Sequence, residues 1–280
     1  MRVKTALRRW LRVKAPNWSE KTRKLVGGWG REWGELWRRN HKVLALEVSA
    51  LDHWDMESLM LYRVESGRAP SSVNHERRYV RQFVRWCIDR GSLERDVTST
   101  WRPLGEPEAP VRVLGQEGQA RLLTFLRTPV KELTLFAVET GLRLATIRRV
   151  AEEPEWDWDD DNGHRWVTIP PGVVKNRRGL SIPLSPRARE ALAGLRGSSL
   201  LAVNSTVWRQ FKRGLRRAGL DPAFRFHDLR KTFTQRLRDR GVAAEDVQEL
   251  GGWRSKGVML KHYYGEADPE RLVAIVKGSG

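Results

Sequence analysis

From Ser19 to Arg38, apolar residues recur at Leu25, Val26, Trp29, Trp33, Leu36 and Trp37, a spacing of three and four that predicts an amphipathic helix. Gly27, Gly28, Gly30 and Gly34 lower its intrinsic propensity, so burial of the tryptophan stripe has to hold it. Residues 43 to 66 predict one or two shorter helices, with Trp54, Leu59, Leu61 and Tyr62 supplying apolar contacts. Gly67 to Pro70 breaks the chain. Ser71 or Ser72 is then placed to cap a helix whose Val80, Phe83, Val84, Cys87 and Ile88 share one face and which Gly91 ends.

Beyond Trp101, Pro103, Pro107 and Pro110 interrupt any periodicity, which predicts a linker over 103–112. Helices are expected over 116–127 and 131–139, the second stopped by Thr140-Gly141. Asp157, Asp159, Asp160 and Asp161 invite a calcium reading. A calcium loop starting at Asp157 would need glycine at its sixth position and glutamate at its twelfth; Asn162 and Thr168 stand there, so a surface turn is expected. Residues 166–170 and 180–184 alternate as strands, with Lys175 in the turn between them. Ser185-Pro186 opens a helix closing near Gly194 to Gly197, and Ser205 opens another that carries Val207, Trp208, Phe211 and Leu215 on one face and ends at Gly219. At Asp228 a further helix is expected, capped by that aspartate and anchored by Leu229, Phe233 and Leu237, so that His227 and Arg230 share a free face. The pattern is mainly α with a small antiparallel β-sheet, in two domains.

Composition changes this picture through its charge. Lys and Arg number 52 against 34 Asp and Glu, a formal +18, which predicts a polyanionic partner: nucleic acid first, an anionic membrane second. No run of about eighteen apolar residues exists to cross a bilayer. The basic start lacks the apolar core of a signal peptide, and Cys87 is the only cysteine, so a disulfide or cysteine-based zinc site is excluded and a reducing cytoplasm is expected. Residues 1–18 carry Arg2, Lys4, Arg8, Arg9, Arg12 and Lys14 with no acid, interleaved with Trp10 and Trp18; they are expected as a basic arm, either on DNA or solvated. Arg77, Arg78, Arg81 and Arg85 lie mostly away from the apolar face of their helix and predict a DNA-facing surface.

The candidate chemistry is an ordered set: Arg143, Lys175, His227, Arg230, Trp253 and Tyr263. In Thr140-Gly141-Leu142-Arg143, His227-Asp228-Leu229-Arg230, Leu250-Gly251-Gly252-Trp253 and Lys261-His262-Tyr263, with Lys175 at a hairpin, the chain resembles the tyrosine recombinases, the phage-integrase family, over roughly residues 40 to 270. The resemblance implies a helical core-binding, SAM-like domain at 19–102, a catalytic domain at 113–265 and a tail at 266–280 that docks on a neighbouring subunit. It also implies double-stranded recombination sites as substrate, a homotetramer in the synaptic complex, and neither metal nor ATP as cofactor.

Attack of a tyrosine hydroxyl on a phosphodiester builds negative charge on the non-bridging oxygens. Two planar guanidiniums, Arg143 and Arg230, suit that charge, and the indole N–H of Trp253 can donate to the same oxygens. By resemblance, His227 handles the tyrosine proton and Lys175 protonates the departing 5′ oxygen. Two departures stand out. Thr146 occupies a position that is usually acidic in the family. The step from Trp253 to the tyrosine is one residue longer than usual, with Tyr264 adjacent; counting four on from Met259 favours Tyr263. The rival readings are a type IB topoisomerase-like activity, which requires no synapse and leaves the apolar tail unexplained, and a family member that only binds DNA. A generic RNA-binding protein accounts for the charge and for none of the boxes.

Overall fold

The computed structural model describes residues 1–107, 110–173, 179–198 and 204–263, with the side chains of 204 and 261–263 outside that description. The chain divides into two units, Met1–Glu108 and Ala109–Gly280.

The first unit is helical: α1 (Val3–Lys14), α2 (Glu20–Asn40), α3 (His53–Glu65) and α4 (Pro70–Ile88). Ser19 caps α2 by accepting from the Thr22 N–H at 3.2 Å. Trp29, Trp33 and Trp37 are buried as the stripe predicts. Gly30 and Gly34, costly in a helix, sit where Leu7 and Leu11 of α1 press against α2, so their missing side chains admit the neighbouring helix. Here the structure corrects the expected arm. Residues 3–14 are a helix whose Val3, Ala6, Leu7 and Trp10 are core, and Trp10 packs edge-on against Phe83 at 5.6 Å. A second correction concerns α3. Its buried face is Asp55, Met56, Leu59 and Arg63, which leaves Trp54, Leu61 and Tyr62 exposed. In α4 the cap is Ala69, with Pro70 in the first turn, rather than either serine. A buried ion pair ties three of these helices. Glu76 Oε1 accepts from Trp33 Nε1 at 2.6 Å and from Arg63 Nη2 at 2.7 Å, while Arg63 Nη1 meets Glu32 at 2.6 Å.

The second unit runs α5 (Gln116–Phe125), α6 (Val130–Thr140), α7 (Leu144–Glu152), β1 (Asp157–Asp159), β2 (Arg165–Ile169), β3 (Leu180–Pro183), α8 (Pro186–Leu195), α9 (Asn204–Arg217), α10 (Asp228–Asp239), α11 (Ala244–Gly251) and α12 (Lys256–Tyr263). The three strands are antiparallel in chain order. Val167 pairs with Ile182 and Ile169 with Leu180, and these four side chains face the core. Helix α6, with Leu133 and Phe136 fully buried, packs against α8 and α10. The acidic stretch is not only a turn. Asp157 to Asp159 form β1, and Asp157 is neutralised by Arg165 and by Arg196 at 2.7 Å. Asp160 does shape the turn: hydrogen bonds from Trp166 Nε1 first, then from the His164 and Asn162 region, hold its carboxyl down at about 2. Ser185 caps α8 as expected, accepting from the Ala188 N–H at 3.2 Å. Among the described residues no helix is long and apolar enough to cross a membrane.

Candidate active site

Helix α10 begins directly after His227, and its first turn delivers Arg230 into the interior, where only 2% of the residue remains exposed. Burying a guanidinium is costly unless its donors are met. Nη1 donates to the Gly141 carbonyl at 2.6 Å and Nη2 to the Gly251 carbonyl at 2.7 Å. Cζ stands 3.7 Å from the centre of the Trp253 ring, a close cation–π stack. One side chain thus joins three segments that lie far apart in sequence. A guanidinium carries its N–H donors in a fixed planar fork, the shape that matches phosphoryl oxygens.

Those carbonyls are presented because of what the chain lacks there. Gly141 closes α6 in the left-handed region at φ 64°, and a Cβ at this position would overlap the Phe233 ring of α10. A Cβ on Gly251 would overlap the Trp253 ring, and Gly252, also left-handed at φ 64°, ends α11 so that the chain turns back. Trp253 packs with Phe233, Val247 and Met259 in a small separate core. Its ring face supports Arg230, a role not evident from the sequence, which suggests only an indole donor to phosphoryl oxygens.

Arg143 occupies the N-cap of α7 with extended backbone, half-buried, and lines one small cleft with Arg230, Leu142, Thr146, Leu180, Gly251 and Gly252. Thr146 is buried beside it at 7% exposure. His227 reaches solvent on one side and is crowded by protein on the other. That desolvation, followed by the positive charges of Arg230 and Arg143, lowers its pKa below 6.5. The shift favours the neutral imidazole. Asp228 does not cap α10 as expected. Its Oδ2 accepts from the Arg225 N–H at 2.7 Å and its Oδ1 meets Lys231 Nζ at 3.3 Å, closing the turn that carries His227.

Lys175 and Tyr264 lie outside the described residues, and Tyr263 is the last residue of α12, its side chain outside the description. No three His, Cys, Asp or Glu side chains converge as a metal site among the described residues. The expected arginine row on α4 is corrected in part. Arg77 is buried, donating to the Trp101 carbonyl at 2.8 Å, and Arg81 donates to the carbonyls of Thr98 at 3.0 Å and Trp101 at 2.8 Å. Both are used to hold the 98–101 turn, while Arg78 and Arg85 remain exposed, Arg85 against Asp89 at 3.0 Å.

The chain resembles known proteins in sequence and in fold. The integrase of Salmonella phage P22 is 27% identical over 187 residues, 58% of this chain and 45% of that protein, so the chain spans about half the length of this relative. The Tn1549 transposon integrase, in complex with transposon right end DNA, aligns with a TM-score of 0.72 at 15% identity, covering 99% of each chain. The lambda integrase tetramer bound to a Holliday junction aligns with a TM-score of 0.68 at 18% identity, covering 96% of this chain and 80% of that one. At these identities the structures speak for the fold. The description of the phage integrase family matches residues 112–270, which contain every box that meets at Arg230 as well as Lys175 and both tyrosines; the chain belongs to that family.

Proposed function

We propose that this protein is a site-specific DNA recombinase that cuts and rejoins duplex DNA through a 3′-phosphotyrosyl intermediate. The observation that carries the reading is the Arg230 anchorage, in which two backbone carbonyls and an indole face hold one guanidinium rigidly beside Arg143 in a common cleft. Preorganised positive charge of this kind is what a five-coordinate phosphorane requires.

In the proposed reaction the Tyr263 hydroxyl attacks the scissile phosphorus and the bond to the 5′ oxygen breaks. His227 takes the phenol proton, and Lys175 gives a proton to the departing 5′ oxygen. Arg143 and Arg230 receive the charge that develops on the non-bridging oxygens. The phosphotyrosyl bond keeps the phosphodiester energy, so a 5′ hydroxyl from a second strand reverses the attack without ATP. Guanidinium and ammonium groups supply the positive charge that metals supply in other phosphoryl transfers.

The reading assigns 19–102 to core binding, 113–265 to catalysis and 266–280 to a tail docking on a neighbour within a homotetramer on DNA, the assembly in which lambda integrase was solved on its junction. A single buried cysteine suits a reducing cytoplasm. Incubation with nicked, labelled duplexes followed by denaturation and peptide mapping tests the chemistry. An adduct on Tyr263, lost in Tyr263→Phe and kept in Tyr264→Phe, is expected. Specific DNA retention without any adduct would leave a binding-only protein.

A further inference from the structure

Helix α1 is divided by charge. Val3, Ala6, Leu7 and Trp10 face the core, and Lys4, Arg8 and Arg12 run along the opposite side at four-residue steps, with Arg9 beside them. Each step spans about 6 Å and the row about 12 Å. Three exposed helical cations elsewhere in this unit are paired with an acid one turn away, Lys24 with Glu20, Arg39 with Glu35 and Arg85 with Asp89. Lys4, Arg8 and Arg12 have no acidic partner among the described residues, and α1 contains no acid. Lys4 even stands in the first turn, where the helix dipole disfavours a cation. Arg12 stands in the last turn, where the dipole favours it, so the signal is the continuous exposed row with no acid on its own helix, which suits an external anion.

We propose that the outer face of α1 is a phosphate-binding rail for duplex DNA, a contact independent of base sequence and separate from the α4 surface. The proposal rests on the recombinase reading for its DNA partner. Three features select a duplex backbone over other polyanions. The apolar side of α1 is consumed in the protein core, leaving no face to sink into a bilayer. Trp10, the aromatic of this helix, is fully buried, and Trp18 is engaged edge-on with Trp10 at 5.4 Å and Tyr79 at 5.5 Å, so no stacking platform for single-stranded bases is presented. The remaining donors are long cations without short polar side chains between Arg8 and Arg12, which suits phosphates rather than base edges.

The test is the salt dependence of binding to a random-sequence duplex of about 30 base pairs, from about 50 to 300 mM KCl, by fluorescence anisotropy. Replacing Lys4, Arg8 and Arg12 by glutamine is expected to flatten the plot of log affinity against log salt by about 0.9 for each phosphate that is no longer neutralised. The charge-keeping variant with Lys4→Arg, Arg8→Lys and Arg12→Lys is expected to keep the wild-type slope, which separates charge from any change in folding. An unchanged slope in the glutamine variant overturns the rail and leaves the recombinase reading standing. Loss of retention on phosphatidylserine vesicles with the DNA slope intact overturns it in favour of a membrane. A wild-type protein that binds no duplex at all overturns both.

Discussion

Arg230 acts as both a structural pin and a source of charge, and the two roles have different requirements. Lysine offers a point charge without a flat face or a fork, so Arg230→Lys is expected to give up at least one of the hydrogen bonds to the Gly141 and Gly251 carbonyls together with the stack on Trp253. The rate of covalent adduct formation should fall by about 10²–10³. Trp253→Phe keeps an aromatic face and is expected to retain most of that rate, whereas Trp253→Ala removes a stack worth about 0.5–2 kcal/mol and should lower it further. Equal rates for the two variants would deny the ring its supporting role. At His227, burial followed by the Arg230 and Arg143 charges lowers the pKa below 6.5. Above pH 6.5 the folded and unfolded imidazoles are both neutral and stability is unaffected; as pH falls below 6.5 toward the lowered value, the unfolded chain takes up the proton first and stability declines. Removing one of the responsible charges should raise that pKa, so Arg143→Gln is expected to move the His227 NMR titration midpoint upward. A midpoint that stays put would refute the electrostatic cause.

At the scale of elements, the junction of α6 with α10 depends on a missing methyl. Gly141→Ala is expected to cost about 1–2 kcal/mol for the left-handed backbone and about 1–3 kcal/mol for overpacking against Phe233. Adding Phe233→Leu should recover part of the second contribution in a chemical-denaturation cycle; strict additivity would show that the two residues do not meet. In the helical unit, Glu76→Gln leaves Arg63 with Glu32 as its acidic partner and is expected to destabilise by about 3 kcal/mol, the low end for breaking a buried pair. These elements were unequally legible in the sequence. Helix α2 announced itself because three tryptophans recur every fourth residue, and β2 and β3 because Val167, Ile169, Leu180 and Ile182 alternate. Helix α1 did not, because its narrow apolar face is outnumbered by cations and Trp10 reads equally well as a surface aromatic. Strand β1 was hidden because Arg165 and Arg196, which neutralise Asp157, come from a neighbouring strand and from a helix end. On α4, Arg77 and Arg81 looked free because the carbonyls that bind them lie 24 and 20 residues further on. The boxes of the site were readable from their order, but the convergence of Gly141, Gly251 and Trp253 on Arg230 is a tertiary fact with glycine as its sole local trace.

At the scale of the whole molecule, each unit has a core of its own, and Cys87 belongs to the first. Burial pushes its thiol up to about 12, so the native chain should resist Ellman's reagent and react with one equivalent when denatured. Thiol labelling then reports opening of the helical unit, and a second-unit variant such as Gly141→Ala should leave its rate unchanged; a raised rate would mean that the two units unfold together. The formal charge of +18 belongs to this scale as well. It suits polyanions in general, while the proposed chemistry depends on a handful of side chains, three of which, Arg143, Lys175 and Arg230, add to that charge.

If the recombinase reading holds, the pin at Arg230 also sets which partial chains lack a finished site. One of its carbonyl anchors comes from Gly141, before Arg230 in the chain, and the other from Gly251, after it. A ribosome-bound intermediate, or a fragment clipped before residue 250, holds a guanidinium with half its anchorage and no indole beneath it. On the proposed reading, strand cutting then requires residues 251 to 253 to be in place, and a product truncated before them is disarmed because Arg230 lacks those contacts.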